Sequence, residues 1–209
     1  MMNRLLIHGV YDSVTFDTLR ALGIKDFSFD LRGKSSNLVT LRDLNLLMGK
    51  IGSQQVFLTF ENDGPEMVLS FLDILKIHSI KCELIFRDVQ TPQFYRNMRI
   101  PFYWMFNQLG DWKSILSLPN IKGIFLPVKN QEFYKKHSDL WEIVDEMNLD
   151  VYLHAENFEE AYLMNLKQEL KLSIDLGPEV EKSYRLIDHE KLKNMNFWGV
   201  INENNAGQR

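Results

Sequence analysis

Eight short β-rich runs alternate with eight segments of helical spacing across 209 residues, at about 26 residues per unit. No Gly/Ser linker or composition break divides them. Together these observations predict an α/β chain whose parallel sheet closes into a single-domain (β/α)8 TIM barrel of near-minimal length. An open doubly wound sheet is the structural alternative, but such sheets more often hold five to seven strands. The barrel is expected over residues 1–200, with 201–209 as a frayed tail.

The predicted strands are RLLIH (4–8), FSFDL (27–31), QVFLTF (55–60) and KCELIF (81–86), followed by PFYWMF (101–106), KGIFLP (122–127), DVYLH (150–154) and LSIDL (172–176). The first helical segment, SVTFDTLRAL, places Val14, Phe16, Leu19 and Leu22 on one face. In TLRDLNLLMGKI, Thr40 is the expected N-cap, and Leu41, Leu44, Leu47 and Met48 point inward. Pro65 opens the apolar stripe of GPEMVLSFLDILKI, as suits a proline at a first helical position. FEEAYLMNLKQEL and DHEKLKNM show similar spacing. PFYWMF reads as core, with Tyr103 and Met105 facing outward onto helices.

Composition narrows the function classes. The chain is 45% hydrophobic and 25% charged, with a formal net charge of −4 and dispersed basic residues, so no nucleic-acid footprint is expected. The first residues carry too short an apolar run for a secretory signal, and no run approaches the ~20 residues of a membrane span. A cytoplasmic protein with no membrane association is the expectation. The single cysteine, Cys82, excludes an intramolecular disulfide and lies near a strand start, where an inert thiol is expected. His78 and His137 read as surface residues, and His189 beside Asp188 as part of a helix N-terminal turn.

In a barrel of this kind, chemistry sits at the C-terminal strand ends and in the loops that follow. Those ends carry His8, Arg32, Glu61, Asn62, Arg87, Asn107, Lys129, His154, Glu156 and Asp175. Two histidines with carboxylates suit a divalent metal. The spacing offers neither an i,i+4 pair nor HxH, however, and ordinary polar lining is the reading preferred: no metal and no cofactor are expected.

The chain resembles phosphoribosylanthranilate isomerase, the (β/α)8 enzyme of tryptophan biosynthesis. LIHGVYDSVTFDTLRALGIKDFSFDLRGKSSNLVTLRDLNLLM follows the family opening K-I-C-G-I-T, a helix, G-A-D-x-x-G-F-x-F and S-P/K-R-x-V/I-S. QVFLTFEND stands where the family has V-G-V-F-V-N, and LSIDLGPEVEKSYRLIDHEKLKNM parallels V-D-V-S-S-G-V-E-x-x-P-G-x-K-D-x-x-K/S-I without a gap. The likeness weakens over residues 81–150. It implies an Amadori rearrangement of an aminoribose phosphate, which needs a ring-opening acid, a base acting at C2 and a phosphate grip.

At the positions that resemblance assigns to chemistry, the chain departs. His8 stands for the catalytic cysteine, and Pro127 for the strand-6 aspartate that acts as acid. Asn37 stands for the arginine of S-P-R, and the G-G-S/T-G loop has become NQEFYKKHSDLW. The phosphate loops G-G-L and S-S-G are replaced by HAEN and DLGPE. There Pro178 removes a backbone donor and Glu156 and Glu179 add carboxylates, leaving only Gly177. Asp175 matches the family aspartate of strand 8.

These departures favour a barrel without the parent activity, binding a partner or small ligand. An active isomerase with His8 as base, or changed chemistry at the same mouth, are the alternatives. The expected site comprises His8 and Asp175 in catalytic positions, with Arg32, Asn37, Arg87, His154, Glu156 and Gly177 contacting substrate. The ligand class is a small anionic or sugar-like molecule, and the sequence names no protein partner.

Overall fold

A computed structural model describes residues 5–61, 63–77, 80–87, 91–98, 100–162 and 171–195. Its eight central strands are β1 (Leu5–His8), β2 (Asp26–Asp30), β3 (Gln55–Phe60), β4 (Cys82–Phe86), β5 (Phe102–Met105), β6 (Ile121–Pro127), β7 (Asp150–Ala155) and β8 (Lys171–Asp175). They form a closed barrel in chain order, every pair parallel, with β8 returning to β1 through Leu5↔Leu172 to His8↔Asp175. Each predicted strand is found, its ends displaced by one residue at most where they are described. Asn62, His78 and the segments 163–170 and 196–209 lie outside the described residues.

Helices fill the crossovers: α1 (Ser13–Ala21), α2 (Leu41–Met48), α3 (Pro65–Ile77), α4 (Pro92–Met98), α5 (Trp112–Leu116), α6 (Gln131–Lys136), α7 (Ser138–Glu146), α8 (Phe158–Tyr162) and α9 (His189–Asn194). Asp12 caps α1 by accepting from the Val14 and Thr15 amides at 2.8 Å each, and Thr40 caps α2 as expected. Asp188 caps α9 in the same way, with His189 the first helical residue. His137 sits between α6 and α7, stacked on Phe133. Val14 and Leu41, expected to point inward, are exposed. Both lie in a first turn on the solvent side, and the buried face is formed by Thr15, Phe16 and Leu19 in α1 and by Leu44, Leu47 and Met48 in α2. Among the described residues, no helix is long and apolar enough to cross a membrane.

Strand residues alternate between two cores. The outer core lies between sheet and helices, where Ile7, Phe27, Phe29, Val56, Leu58, Phe60, Phe86 and Trp104 meet helical residues such as Phe16, Leu19, Leu44 and Tyr95. The inner core is a plug of Leu6, Phe57, Ile85, Tyr103, Met105, Phe125 and Tyr152 inside the barrel. The sequence expectation for β5 is therefore inverted: Tyr103 and Met105 face inward, and Phe102 and Trp104 face the helices. Burial on both faces makes PFYWMF a continuous apolar run, so no polar alternation marks its parity. Gly123 is required in this plug, because a Cβ there would collide with the Asp150 carbonyl and the Tyr103 ring. Cys82 is partly buried at the start of β4, and burial followed by the neighbouring Glu83 pushes its thiol up to about 12.

Candidate active site

Period-2 alternation continues above the plug and turns polar. His8, Ser28, Thr59, His154 and Ser173 are all buried there. Ser28 and Thr59 satisfy each other through hydroxyls 2.7 Å apart. His154 Nδ1 lies 3.0 Å from Ser173 Oγ, and Ser173 Oγ lies 3.4 Å from the Leu153 carbonyl. On the other side of the ring, Arg87 Nη2 donates to His154 Nε2 at 2.7 Å and to Asp175 Oδ2 at 2.9 Å. A guanidinium only donates, so Nε2 is the accepting nitrogen and Nδ1 carries the proton, donated to Ser173. His8 differs from all of these: it is 2% exposed, and neither ring nitrogen has a hydrogen-bond partner. Its ring rests edge-on against Phe125 and His154, with centroids 5.4 and 5.1 Å away.

The mouth is a cavity of about 500 Å³. Arg32, Arg87, Asn107, Lys129, His154, Glu156 and Asp175 line it, seven of the residues expected at strand ends. Each of its cations is matched by a carboxylate. Arg32 binds Asp30 through Nε (2.8 Å) and Nη2 (2.5 Å), Arg87 binds Asp175, and Lys129 binds Glu156. Burial alone would raise the Asp175 carboxyl. The Arg87 guanidinium, bonded to it at 2.9 Å, outweighs that penalty and holds the acid well below the usual carboxylate range. Burial, reinforced by the Arg87 charge, pushes His8 well below the ordinary imidazole value despite the opposing charge of Asp175.

Three expected contacts lie off this wall. Asn37 donates from Nδ2 to the Leu176 carbonyl at 3.0 Å and fills the space over Gly9, whose φ of +78° and missing Cβ permit the approach. Gly177 is covered by the Glu179 carboxylate, which takes the volume a Cβ would need. His8 is adjacent to the wall without forming part of it. Pro127, at the end of β6, does line the cavity.

Sequence reasoning missed two wall residues, Gln108 in a turn and Asn130 in the 3-10 turn after β6, and Ser173, which orients His154. Ser173 was within reach of a period-2 argument, standing two residues before Asp175 on the same inward face. One ligand atom each from His8, His154 and Asp175 lie within 4.8 Å of one another.

No protein-family model and no curated protein matches the chain. Solved structures do. A monomeric form of the dimeric phosphoribosylanthranilate isomerase of Thermotoga maritima superposes with a TM-score of 0.70 at 16% identity, over 99% of this chain and 100% of that one. The Thermus thermophilus phosphoribosylanthranilate isomerase gives 0.64 at 16% identity, with the same coverage. A phosphoribosylanthranilate isomerase in complex with reduced 1-(o-carboxyphenylamino)-1-deoxyribulose 5-phosphate gives 0.68 at 15% identity, again over 99% and 100%. At these identities the likeness is one of fold: the chain is a TIM barrel built on the plan of the phosphoribosylanthranilate isomerases over nearly its whole length.

Proposed function

We propose that this barrel retains the isomerase architecture without Amadori isomerase turnover, and that its mouth binds a small hydroxylated, sugar-like ligand. The observation that carries the reading is the placement of His8. At the position of the family's cysteine base it is 2% exposed and off the cavity wall, so a molecule in the cavity meets no base there. The acid position is Pro127, which has no proton to give. Of the acids that could stand in, Asp175 is held ionised at neutral pH by Arg87, and Asp30 is paired with Arg32. Each missing acid or base removes about 10²–10⁴-fold, so the pair removes at least about 10⁴-fold.

The ligand class follows from the wall. Asn107, Gln108 and Asn130 offer amide donors and acceptors beside the ionic pairs, a lining suited to hydroxyl groups. An anionic group can engage Lys129 only in competition with Glu156, and both side chains are about half exposed. The isomerase complex described above holds a phosphorylated ribulose derivative, which makes that molecule the natural probe.

The test has two arms. Isomerase activity is assayed with phosphoribosylanthranilate generated in situ, and by rescue of a tryptophan auxotroph lacking the isomerase. Calorimetry then compares the reduced ribulose phosphate derivative with its dephosphorylated form. No turnover, with the dephosphorylated form bound at least as well as the phosphorylated one, is expected. Growth restored by wild type but not by His8→Ala would overturn the reading.

A further inference from the structure

We infer that His8, His154 and Asp175 form a binding site for one divalent first-row transition ion, such as zinc or cobalt, in the floor of the cavity. Two imidazoles and one carboxylate are a donor set that such ions accept with coordination positions to spare. The geometry is close to what an ion needs. Bonds of about 2.0–2.1 Å place tetrahedral ligands about 3.4 Å apart, and His154 Nε2 and Asp175 Oδ2 already stand 3.6 Å apart. His8 lies within 4.8 Å of both, and no hydrogen bond restrains its ring from turning to close the remaining ångström.

Two independent features point to a ligand at this place. His8 is a fully buried imidazole with both nitrogens unpartnered, and the second oxygen of Asp175 is also buried without a partner. Buried polar atoms are otherwise paired in folded proteins, and an orphaned pair beside a third donor atom asks for a common partner. The His154–Ser173–Leu153 chain supplies the orientation a metal ligand requires, since it keeps the proton on Nδ1 and presents a bare Nε2. His154 and Asp175 also lie on the cavity wall, so an ion between them has its open positions directed at whatever hydroxyl or carbonyl oxygen enters.

Arg87 is the competitor. Its Nη2 now bridges His154 Nε2 and Asp175 Oδ2, the place an ion would take. Metal binding therefore expels the guanidinium into the cavity, and removing Arg87 favours the metal. This distinguishes a built site from general surface affinity, because deleting a positive charge elsewhere has no such local effect.

Chelator-treated protein is titrated with Co²⁺, followed by visible absorption, and with Zn²⁺ by calorimetry. One equivalent is expected to bind. His8→Leu should weaken it at least about tenfold, Arg87→Met should tighten it several-fold, and Co²⁺ should shift the His8 and His154 imidazole resonances of the wild type. Binding unchanged in His8→Leu would assign the ion to surface groups such as His137 and Asp139 and overturn the inference. So would weaker binding in Arg87→Met, or no binding below millimolar concentration. Isomerase turnover in the assay above would leave this titration untouched, so the two readings fail separately.

Discussion

Replacing His8 by leucine should stabilise the metal-free protein, and by more as the solution becomes acidic. The imidazole buries one donor and one acceptor with no partner for either, and an unsatisfied buried polar group costs about 1–3 kcal/mol. Leucine removes both groups and offers the Phe125 side of the pocket an apolar neighbour. Allowing for lost ring contacts with Phe125 and His154, a gain of about 1–2 kcal/mol is expected at pH 7.5. The groups that face His8 are Asp175, which favours its protonation, and His154, Arg87 and Arg32, which oppose it. Burial, acting in the same direction as the cations, outweighs Asp175, and the folded-state pKa lies well below the unfolded value of about 6.5.

Below pH 6.5 the unfolded chain therefore binds a proton that the folded protein does not, and wild-type stability falls as the pH drops. Between pH 7.5 and 5.5 the loss is expected to be on the order of 1 kcal/mol, and the leucine variant is spared it. Asp175 stays outside this window, because its folded pKa lies below an already acidic unfolded value. Urea melts in the presence of chelator at both pH values, followed by tryptophan fluorescence, measure the gap. A gap that stays constant within about 0.3 kcal/mol, or a variant less stable than wild type at pH 7.5, would refute the reasoning.

Two substitutions probe the plug beneath the mouth. Phe125→Ala removes a fully buried ring stacked on Tyr152 at 4.6 Å and in edge contact with Phe57, Tyr103 and His8. It should cost about 3–5 kcal/mol in a denaturant melt. Gly123→Ala places a methyl against the Asp150 backbone and the Tyr103 ring. Because backbone cannot step aside, a loss of at least about 2 kcal/mol or a failure to accumulate folded protein is expected, whereas a thermal midpoint unchanged from wild type would show that the plug is looser than drawn.

The barrel was legible because its strands are short apolar runs at even spacing, and several of the helices between them carry their own start signal. Thr40, Pro65 and Asp188 mark those starts in the chain as they do in the fold. Parity was legible where one strand face is polar: in DVYLH, Asp150, Tyr152 and His154 share the inner face, two of them polar. It was illegible in PFYWMF, where both faces are dry. The mouth followed from the rule that strand ends carry function, which places Arg32, Arg87, His154 and Asp175 correctly on one wall. Position on a wall does not reveal pairing. That Arg87 bridges β7 and β8, and that Asn37 folds onto Leu176 instead of facing the cavity, depends on barrel closure and on distances that no local pattern encodes.

The pairing has a consequence for what the mouth can hold. Arg32, Arg87 and Lys129 around one cavity would repel one another without anions between them. In a phosphate-binding barrel the ligand itself can supply that charge. Here Asp30, Asp175 and Glu156 do, and the mouth is neutralised before any ligand arrives. Glu179, folded over Gly177, places a fourth carboxylate beside the end of β8. A dianion entering this site must break an ion pair for each contact it makes, and at Asp175 the broken pair leaves a largely buried charge behind, only 21% exposed. A neutral hydroxylated ligand, as proposed, is expected to use the amide groups of Asn107, Gln108 and Asn130 without that penalty. On the proposed reading, the pairing that neutralises the mouth is therefore expected to weaken binding of a phosphorylated ligand relative to its dephosphorylated form.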